Sequence, residues 1–184
     1  MADSRVSAHF LDDAVRQLRK YKALADGALA QVADGDFQRS MDAESNSIAL
    51  VMKHVSGNMR SRWRDFRTTD GEKPDRDRDR EFEVEPGDTR ARVHAEWDAG
   101  WALLFETLAA LRPEDLLEVV RIRDEEHTVL QAIQRQLTHY AYHVGQIVFL
   151  AKHFAGNAWR SLSIPKGKSK EFDVSRSGEP YPLG

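Results

Sequence analysis

Two histidines, His139 and His143, stand four residues apart in a segment whose apolar spacing predicts a helix. A step of four residues rotates an α-helix by only about 40°, so both imidazoles leave the same face about one turn apart. This is the geometry with which one helix presents two ligands to a metal ion. The pair can equally arise by chance, because the chain contains 7 histidines. A third histidine on another helix is needed to favour a metal site.

The helix that carries the pair has two distinct stripes of side chains. Its apolar stripe advances in steps of three and four residues and comprises Leu130, Ile133, Leu137, Tyr140, Val144, Ile147, Ala151 and Phe154. The histidines belong to a second stripe about 100° away, together with Ala132, Gln136, Gln146 and Leu150. In an isolated helix this second stripe would border the solvent. In a bundle it can be the seam toward the next helix.

The third histidine is His54, on a second predicted helix that covers residues 46–67. Ser45-Asn46-Ser47 supplies capping residues directly before Ile48. His54 lies on the flank of the apolar face, about 100° from Val55 by residue count. It is either a metal ligand or a half-buried histidine bonded to a neighbour. Gly57, in mid-helix, costs about 1 kcal/mol relative to alanine and marks either the close approach of another helix or nothing in particular.

Four amphipathic segments are predicted to be helices: residues 5–33, 46–67, 89–111 and 128–155. This pattern predicts an all-α fold, a four-helix bundle over residues 1–158 with long connections after helices two and three. The connection at 68–88 is long enough to be a lid, a partner contact or a solvated loop. A small hairpin is expected around Asp124-Glu125, within residues 116–129. Residues 159–184 are predicted to be a non-helical tail that packs on the bundle or on a partner subunit.

The composition excludes several classes of function. The chain has no cysteine, which rules out disulfides, thiolate metal ligands and a cysteine nucleophile. A formal net charge of -3 argues against nucleic acid as a partner. Apolar stretches stop well short of about 18 residues, so no membrane span is predicted. The first residues lack a basic start followed by an apolar run, so we expect no signal peptide and a cytoplasmic location.

Two segments together resemble the DinB-like (YfiT-like) superfamily of small bacterial four-helix bundles. They are residues 47–58, SIALVMKHVSGN, and residues 136–147, QLTHYAYHVGQI. In that superfamily the second helix supplies one histidine and the last helix supplies a His-x-x-x-His motif. The resemblance covers residues 5–155, and the segments 62–74 and 159–172 are similar to an uncharacterised branch of the superfamily.

By this resemblance, His54, His139 and His143 match the three metal ligands of the superfamily. The resemblance also implies a divalent metal ion, most often zinc or nickel, and a homodimer. Characterised relatives include thiol S-transferases that act with a small cellular thiol, and a thiol-dependent isomerase. Others are described as metal-dependent hydrolases. A metal-dependent enzyme acting on a small molecule is therefore expected, with a low-molecular-weight thiol as one candidate substrate.

Three neutral imidazoles leave open positions on a metal, as in catalytic rather than structural zinc sites. Such an ion can activate water or bind and deprotonate a thiol, and both chemistries need the same ligands. By helical position, Asn58, Gln136 and Gln146 are the candidates for orienting the imidazoles. No carboxylate lies one turn from the histidines on these stripes, and Glu44 and Glu96 are unsupported as general bases.

Two alternatives to the enzyme remain open. One is a non-catalytic dimeric module with a structural or regulatory metal. The other is an interaction protein without a metal, in which the histidines are ordinary residues at the edge of the core.

Overall fold

A computed structural model describes residues 4–171, and most of them are helical. The helices are α1 (Ser4–Leu29), the single turn α2 (Asp34–Phe37), α3 (Ile48–Trp63), α4 (Arg90–Ala109) and α5 (Val129–Ala155). The four long helices form a bundle, which confirms the predicted all-α fold. Within this part of the chain, no helix combines the length and the apolar character that a membrane span requires.

The bundle is built from two helix pairs. α3 packs along α4, and α1 packs along α5. α3 and α5 also touch each other, and they are the two helices that carry the predicted ligands. The rings of Trp97, Trp101 and Tyr140 are fully buried in the centre. Trp101 lies 5.5 Å from Trp97 and 5.7 Å from Tyr140 between ring centroids, so aromatic packing joins α4 to α5.

Two helices end earlier than their apolar periodicity predicts. α3 begins after Ser47, whose Oγ accepts a hydrogen bond from the Leu50 N–H at 3.3 Å. It ends at Trp63 rather than residue 67 because Arg64 is extended and Asp65 has a φ of 49°, outside the right-handed helical region. α1 ends at residue 29 rather than 33, and the short helix α2 follows.

The connection between α3 and α4 packs against the bundle and the hairpin. The Gly71 N–H donates to the Arg121 carbonyl at 2.8 Å, and the Asp70 carboxylate accepts from the Arg123 N–H at 2.9 Å. A 3₁₀ turn, Asp79–Phe82, then lies against α3. These contacts place the second half of the connection beside the predicted histidine site.

The predicted hairpin is present between α4 and α5. Strands β1 (Val119–Ile122) and β2 (Glu125–Thr128) pair antiparallel. Arg123 and Asp124 have φ values of 56° and 62°, as a two-residue type I′ turn requires. The first strand begins later than predicted because Pro113–Leu117 forms a 3₁₀ turn.

The tail contacts the bundle where the structure describes it. Trp159 and Leu162 are partly buried against the core. The Arg160 N–H donates to Gln31 Oε1 at 2.7 Å, and the Arg160 carbonyl accepts from Gln31 Nε2 at 3.1 Å. The rest of the predicted tail, residues 172–184, lies outside the described residues.

Candidate metal centre

The three predicted ligands meet at the seam between α3 and α5. His139 Nε2 lies 3.4 Å from His54 Nε2 and 3.1 Å from His143 Nε2. The ligand atoms of all three residues lie within 4.8 Å of one another. Zinc–nitrogen bonds of about 2.0–2.1 Å in a tetrahedral site separate the nitrogens by about 3.3 Å. The separations of His139 Nε2 from His54 Nε2 and from His143 Nε2 are therefore close to those around a shared metal ion.

Hydrogen bonds on the far side of the rings orient two of the imidazoles. His54 Nδ1 lies 2.9 Å from Glu81 Oε2, and His143 Nδ1 lies 2.8 Å from Gln146 Oε1. A carboxylate and an amide oxygen only accept, so in the neutral form of each ring Nδ1 carries the proton and Nε2 presents a lone pair. His139 Nε2 faces both lone pairs and can donate to only one of them. Three converging nitrogens with at most one proton among them favour a bound cation.

The surroundings favour the neutral form of His139 and His143. Burial, and then the neighbouring His143 and His54, lowers the pKa of His139 to about 3. Burial also lowers the pKa of His143. Neutral imidazole is the form that binds a metal. His139 Nδ1 is buried without a hydrogen-bond partner among residues 4–171. Within these residues, no hydrogen bond to Nδ1 orients the His139 ring.

Glu81 is a site residue that the sequence pattern did not indicate. It comes from the turn Asp79–Phe82, and its side chain is only 9% exposed. Besides His54, its carboxylate binds Arg76, whose Nε and Nη2 lie 2.8 and 2.9 Å from Oε1 and Oε2. A carboxylate behind a metal-binding histidine fixes the ring and raises its basicity. Helical periodicity could not place Glu81 because it lies in a connection rather than on a helix.

Gly57 makes room for this carboxylate. A Cβ built on Gly57 would lie 2.1 Å from Glu81 Oε1 and 2.7 Å from Glu81 Cδ. The glycine does mark a close approach, but the neighbour is a side chain of the connection rather than another helix. This glycine was the one signal in the sequence that something packs closely on α3 beside His54.

The contacts around Glu81 keep it ionised and shield the ring of His54. Burial alone would raise the pKa of Glu81, but hydrogen bonds from His54 and Arg76 outweigh burial and lower that pKa. Phe82 stacks on the His54 ring with 4.8 Å between centroids. The Nδ1 edge of His54 is therefore covered by the connection, while Nε2 faces the other histidines.

The family comparison matches nearly the whole bundle. The family model described as "Protein of unknown function (DUF1572)" covers residues 5–168. The chain belongs to the DUF1572 family. Searches of curated proteins and of solved structures gave no match. All three histidines and Glu81 lie inside the matched residues, so the candidate centre is part of the DUF1572 domain.

In this DUF1572 protein, the three polar residues predicted to orient the imidazoles have different partners. Gln146 contacts His143, as its position predicts. Asn58 makes no hydrogen bond to a histidine among the described residues, and its Oδ1 accepts a hydrogen bond from the Tyr140 hydroxyl at 3.1 Å instead. Gln136 is buried, and its Oε1 has no hydrogen-bond partner among the described residues. Helical position determines the face of a side chain but not the partner that it reaches.

The two carboxylates considered as general bases lie elsewhere. Glu44 is exposed in the connection before α3. Glu96 pairs with Arg92 on α4 at 3.2 Å. Neither lines the cavity that opens beside the histidines.

That cavity has a volume of about 490 Å³, within the range of about 300–1,000 Å³ that is common for small-molecule sites. His54 and His139 form part of its wall. Polar neighbours and five arginines form the rest: Asn58, Gln136, Thr138, Tyr142, Arg62, Arg76, Arg78, Arg123 and Arg135. Among the described residues, no carboxylate lines it. The candidate centre therefore faces a polar cavity without an acidic wall residue.

Tyr140 ties the two histidine-bearing helices together in the core. Its hydroxyl accepts from Trp63 Nε1 at 2.9 Å and donates to Asn58 Oδ1 at 3.1 Å. Tyr140→Phe keeps the ring but removes the hydroxyl. The buried donor Trp63 Nε1 and the buried acceptor Asn58 Oδ1 then lose their shared partner. We expect the variant to lose about 1–2 kcal/mol of unfolding free energy.

Urea denaturation followed by circular dichroism measures this loss. Tyr142→Phe is the matched control, because Tyr142 is 64% exposed on the same helix. The control is expected to change stability by less than about 0.5 kcal/mol. If the two variants were equally stable, the hydroxyl of Tyr140 would not contribute as described.

Proposed function

We propose that this protein is a metal-dependent enzyme in which Nε2 of His54, His139 and His143 binds a divalent ion, zinc or nickel. The observation that carries the proposal is the convergence of these nitrogens beside a cavity that His54 and His139 line, with the rings of His54 and His143 oriented by Glu81 and Gln146. Three histidine ligands leave open positions, which is typical of catalytic zinc. A bound ion supplies Lewis acidity, which lowers the pKa of a thiol or water that reaches it.

Thiol S-transfer is the reaction that the cavity favours. No described carboxylate lines the cavity, and both oxygens of Glu81 are engaged by His54 and Arg76. A reaction in this site therefore has to proceed without a free carboxylate base. A thiol has a pKa of about 8.5, far below that of water, so it needs less help to lose its proton. Hydrolysis is the second candidate, because three histidines are also the zinc ligands of a water-activating enzyme.

The resemblance to the DinB-like superfamily supports the same proposal. His54 lies on the second long helix, and His139 and His143 lie on the last. This is the distribution of ligands that the resemblance implies for a four-helix bundle. We therefore propose that this DUF1572 chain belongs to a branch of that superfamily, and that it forms a homodimer.

Metal content and turnover test the proposal. Protein purified without a histidine tag is expected to hold about one equivalent of zinc or nickel by elemental analysis. A stoichiometry near zero, unchanged when the protein is dialysed against either metal, would overturn the metal site.

Turnover is then measured with two substrate pairs. Metal-loaded protein is incubated with glutathione and chlorodinitrobenzene, and separately with p-nitrophenyl acetate. His139→Ala is the control in both assays. Thioether formation above this control supports thiol transfer, whereas ester cleavage alone supports hydrolysis. Metal-loaded protein that shows neither would count against an enzyme of either type.

A further inference from the structure

We infer that the cavity beside the histidines binds an anionic small molecule, one that carries phosphate or carboxylate groups. Its wall contains five arginines, from α3, the connection after α3, the hairpin turn and α5: Arg62, Arg76, Arg78, Arg123 and Arg135. As a statement about the substrate, the inference rests on the proposed function. As a statement about anion binding, it rests on these side chains alone.

The arginines outnumber the carboxylates with which they pair. Glu72 is shared by Arg62, Arg76 and Arg123, at 3.3, 3.3 and 3.1 Å. Glu81 pairs with Arg76 as well. The three arginines that form ion pairs therefore share two carboxylates, Glu72 and Glu81. The formal net charge of the whole protein is nevertheless -3. The positive charge is therefore concentrated at the cavity and is not a property of the whole surface.

The side chains of two of the arginines have no ion pair or hydrogen bond to another described residue. Arg78 lies over the Phe82 ring, 5.2 Å from its centroid, and Arg135 is exposed on α5. A guanidinium group presents several N–H donors in a planar fork that matches a carboxylate or phosphate. Arg78 and Arg135 can bind such a group without giving up a side-chain ion pair or hydrogen bond within residues 4–171.

Arg62 adds a buried donor to the same wall. Its side chain is 5% exposed, and it donates to the Gly71 carbonyl through Nη1. Its Nε is buried and has no acceptor among the described residues. A buried N–H without an acceptor is unfavourable, and an anionic oxygen in the cavity would provide one.

A structural role accounts for only part of this cluster. Arg62, Arg76 and Arg123 join α3, the connection and the hairpin through Glu72, so their presence needs no ligand. Arg78 and Arg135 make no such link, although both line the cavity that contains His54 and His139. An anion bound between them would lie next to the candidate metal centre, where a substrate has to be.

Isothermal titration calorimetry at low ionic strength tests the inference. The probes are inorganic phosphate and glutarate, with pentanediol as an uncharged molecule of similar length to glutarate. Each is titrated into the full chain as purified and again after metal removal. We expect at least one anion to bind in both forms, and pentanediol to bind in neither. The double variant Arg78→Gln/Arg135→Gln is expected to weaken anion binding by about tenfold.

The matched control is Arg16→Gln/Arg160→Gln, which removes two exposed arginines far from the cavity along the chain. It should change anion binding by less than about twofold. Circular dichroism checks that both double variants fold, as expected for exposed side chains. Weakening confined to the cavity variant supports the inference, and the anion that binds more tightly identifies the charged group.

Absence of anion binding, or equal weakening in both double variants, would overturn the inference. The metal analysis separates this result from the proposed function. A protein that binds anions through Arg78 and Arg135 but holds no metal supports the anion site and refutes the metal-dependent enzyme. A metal-loaded protein that binds no anion supports the metal site and refutes the anion site.

Discussion

The variant His143→Ala is expected to lower the affinity for zinc by more than about 100-fold. Removing an outer group that orients a ligand typically costs about 10–100-fold in metal affinity, and loss of the ligand itself should exceed that. His143 is also the histidine that Gln146 holds, at 2.8 Å from Nδ1. The substitution therefore removes both the donor atom and its support. His54→Ala and His139→Ala are expected to act in the same direction.

Competition with a chromophoric chelator measures this affinity in protein without a tag. His153→Ala is the matched control, because His153 is an exposed histidine on the same helix, α5. Its affinity for zinc should stay within about twofold of the parent, as expected for a surface substitution away from the site. Similar zinc binding by the parent and by all three cluster variants would rule out the three-histidine centre.

Gly57→Ala is expected to lower zinc affinity by about 10–100-fold without contributing a ligand atom. The added methyl group would lie 2.1 Å from Glu81 Oε1, so the carboxylate has to move away. His54 would then lose the acceptor that holds its Nδ1 proton. The fold should survive, because the displaced atoms are the end of a flexible side chain and alanine favours a helix by about 1 kcal/mol over glycine.

Two further variants test whether the loss of zinc affinity in Gly57→Ala is caused by displacement of Glu81. Gly145→Ala makes the same change on α5, where an added Cβ meets nothing within 4 Å, and it should leave zinc affinity unchanged. Glu81→Ala should weaken binding by an amount similar to Gly57→Ala. In the double variant the two effects should not add, because both remove the same contact. Additive losses would show that Gly57 acts by another route.

The contact between Glu81 and His54 makes the connection after α3 part of the candidate site. A continuous series of ion pairs runs from the hairpin through Arg123, Glu72, Arg76 and Glu81, and the hydrogen bond between His54 and Glu81 extends it to the cluster. Partly buried charges that pair in this way hold one another in a single arrangement. The connection therefore orients a proposed ligand and, through Arg78, lines the cavity in front of it.

The helices and the shared face of His139 and His143 could be predicted from the sequence, because both depend on local spacing. His54 is assigned to the same site by the resemblance to the DinB-like superfamily. A turn of 3.6 residues places His139 and His143 on one face whatever the rest of the chain does. Ser47 and Thr128 cap α3 and α5 through bonds to residues three positions ahead, at Leu50 and Gln131. These interactions are complete within one or two turns, so the order of residues alone determines them.

The partners of those residues depended on the tertiary structure. Packing of α3 against α5 decided that the histidine stripe is a seam rather than a solvent edge. The path of the connection decided that Glu81, with no periodic relation to any helix, fills the space over Gly57 and binds His54. Asn58 shares the flank of His54 but bonds to Tyr140 across the core. Such contacts join residues far apart in the chain, and their geometry follows from helix packing and loop path, which local spacing does not specify.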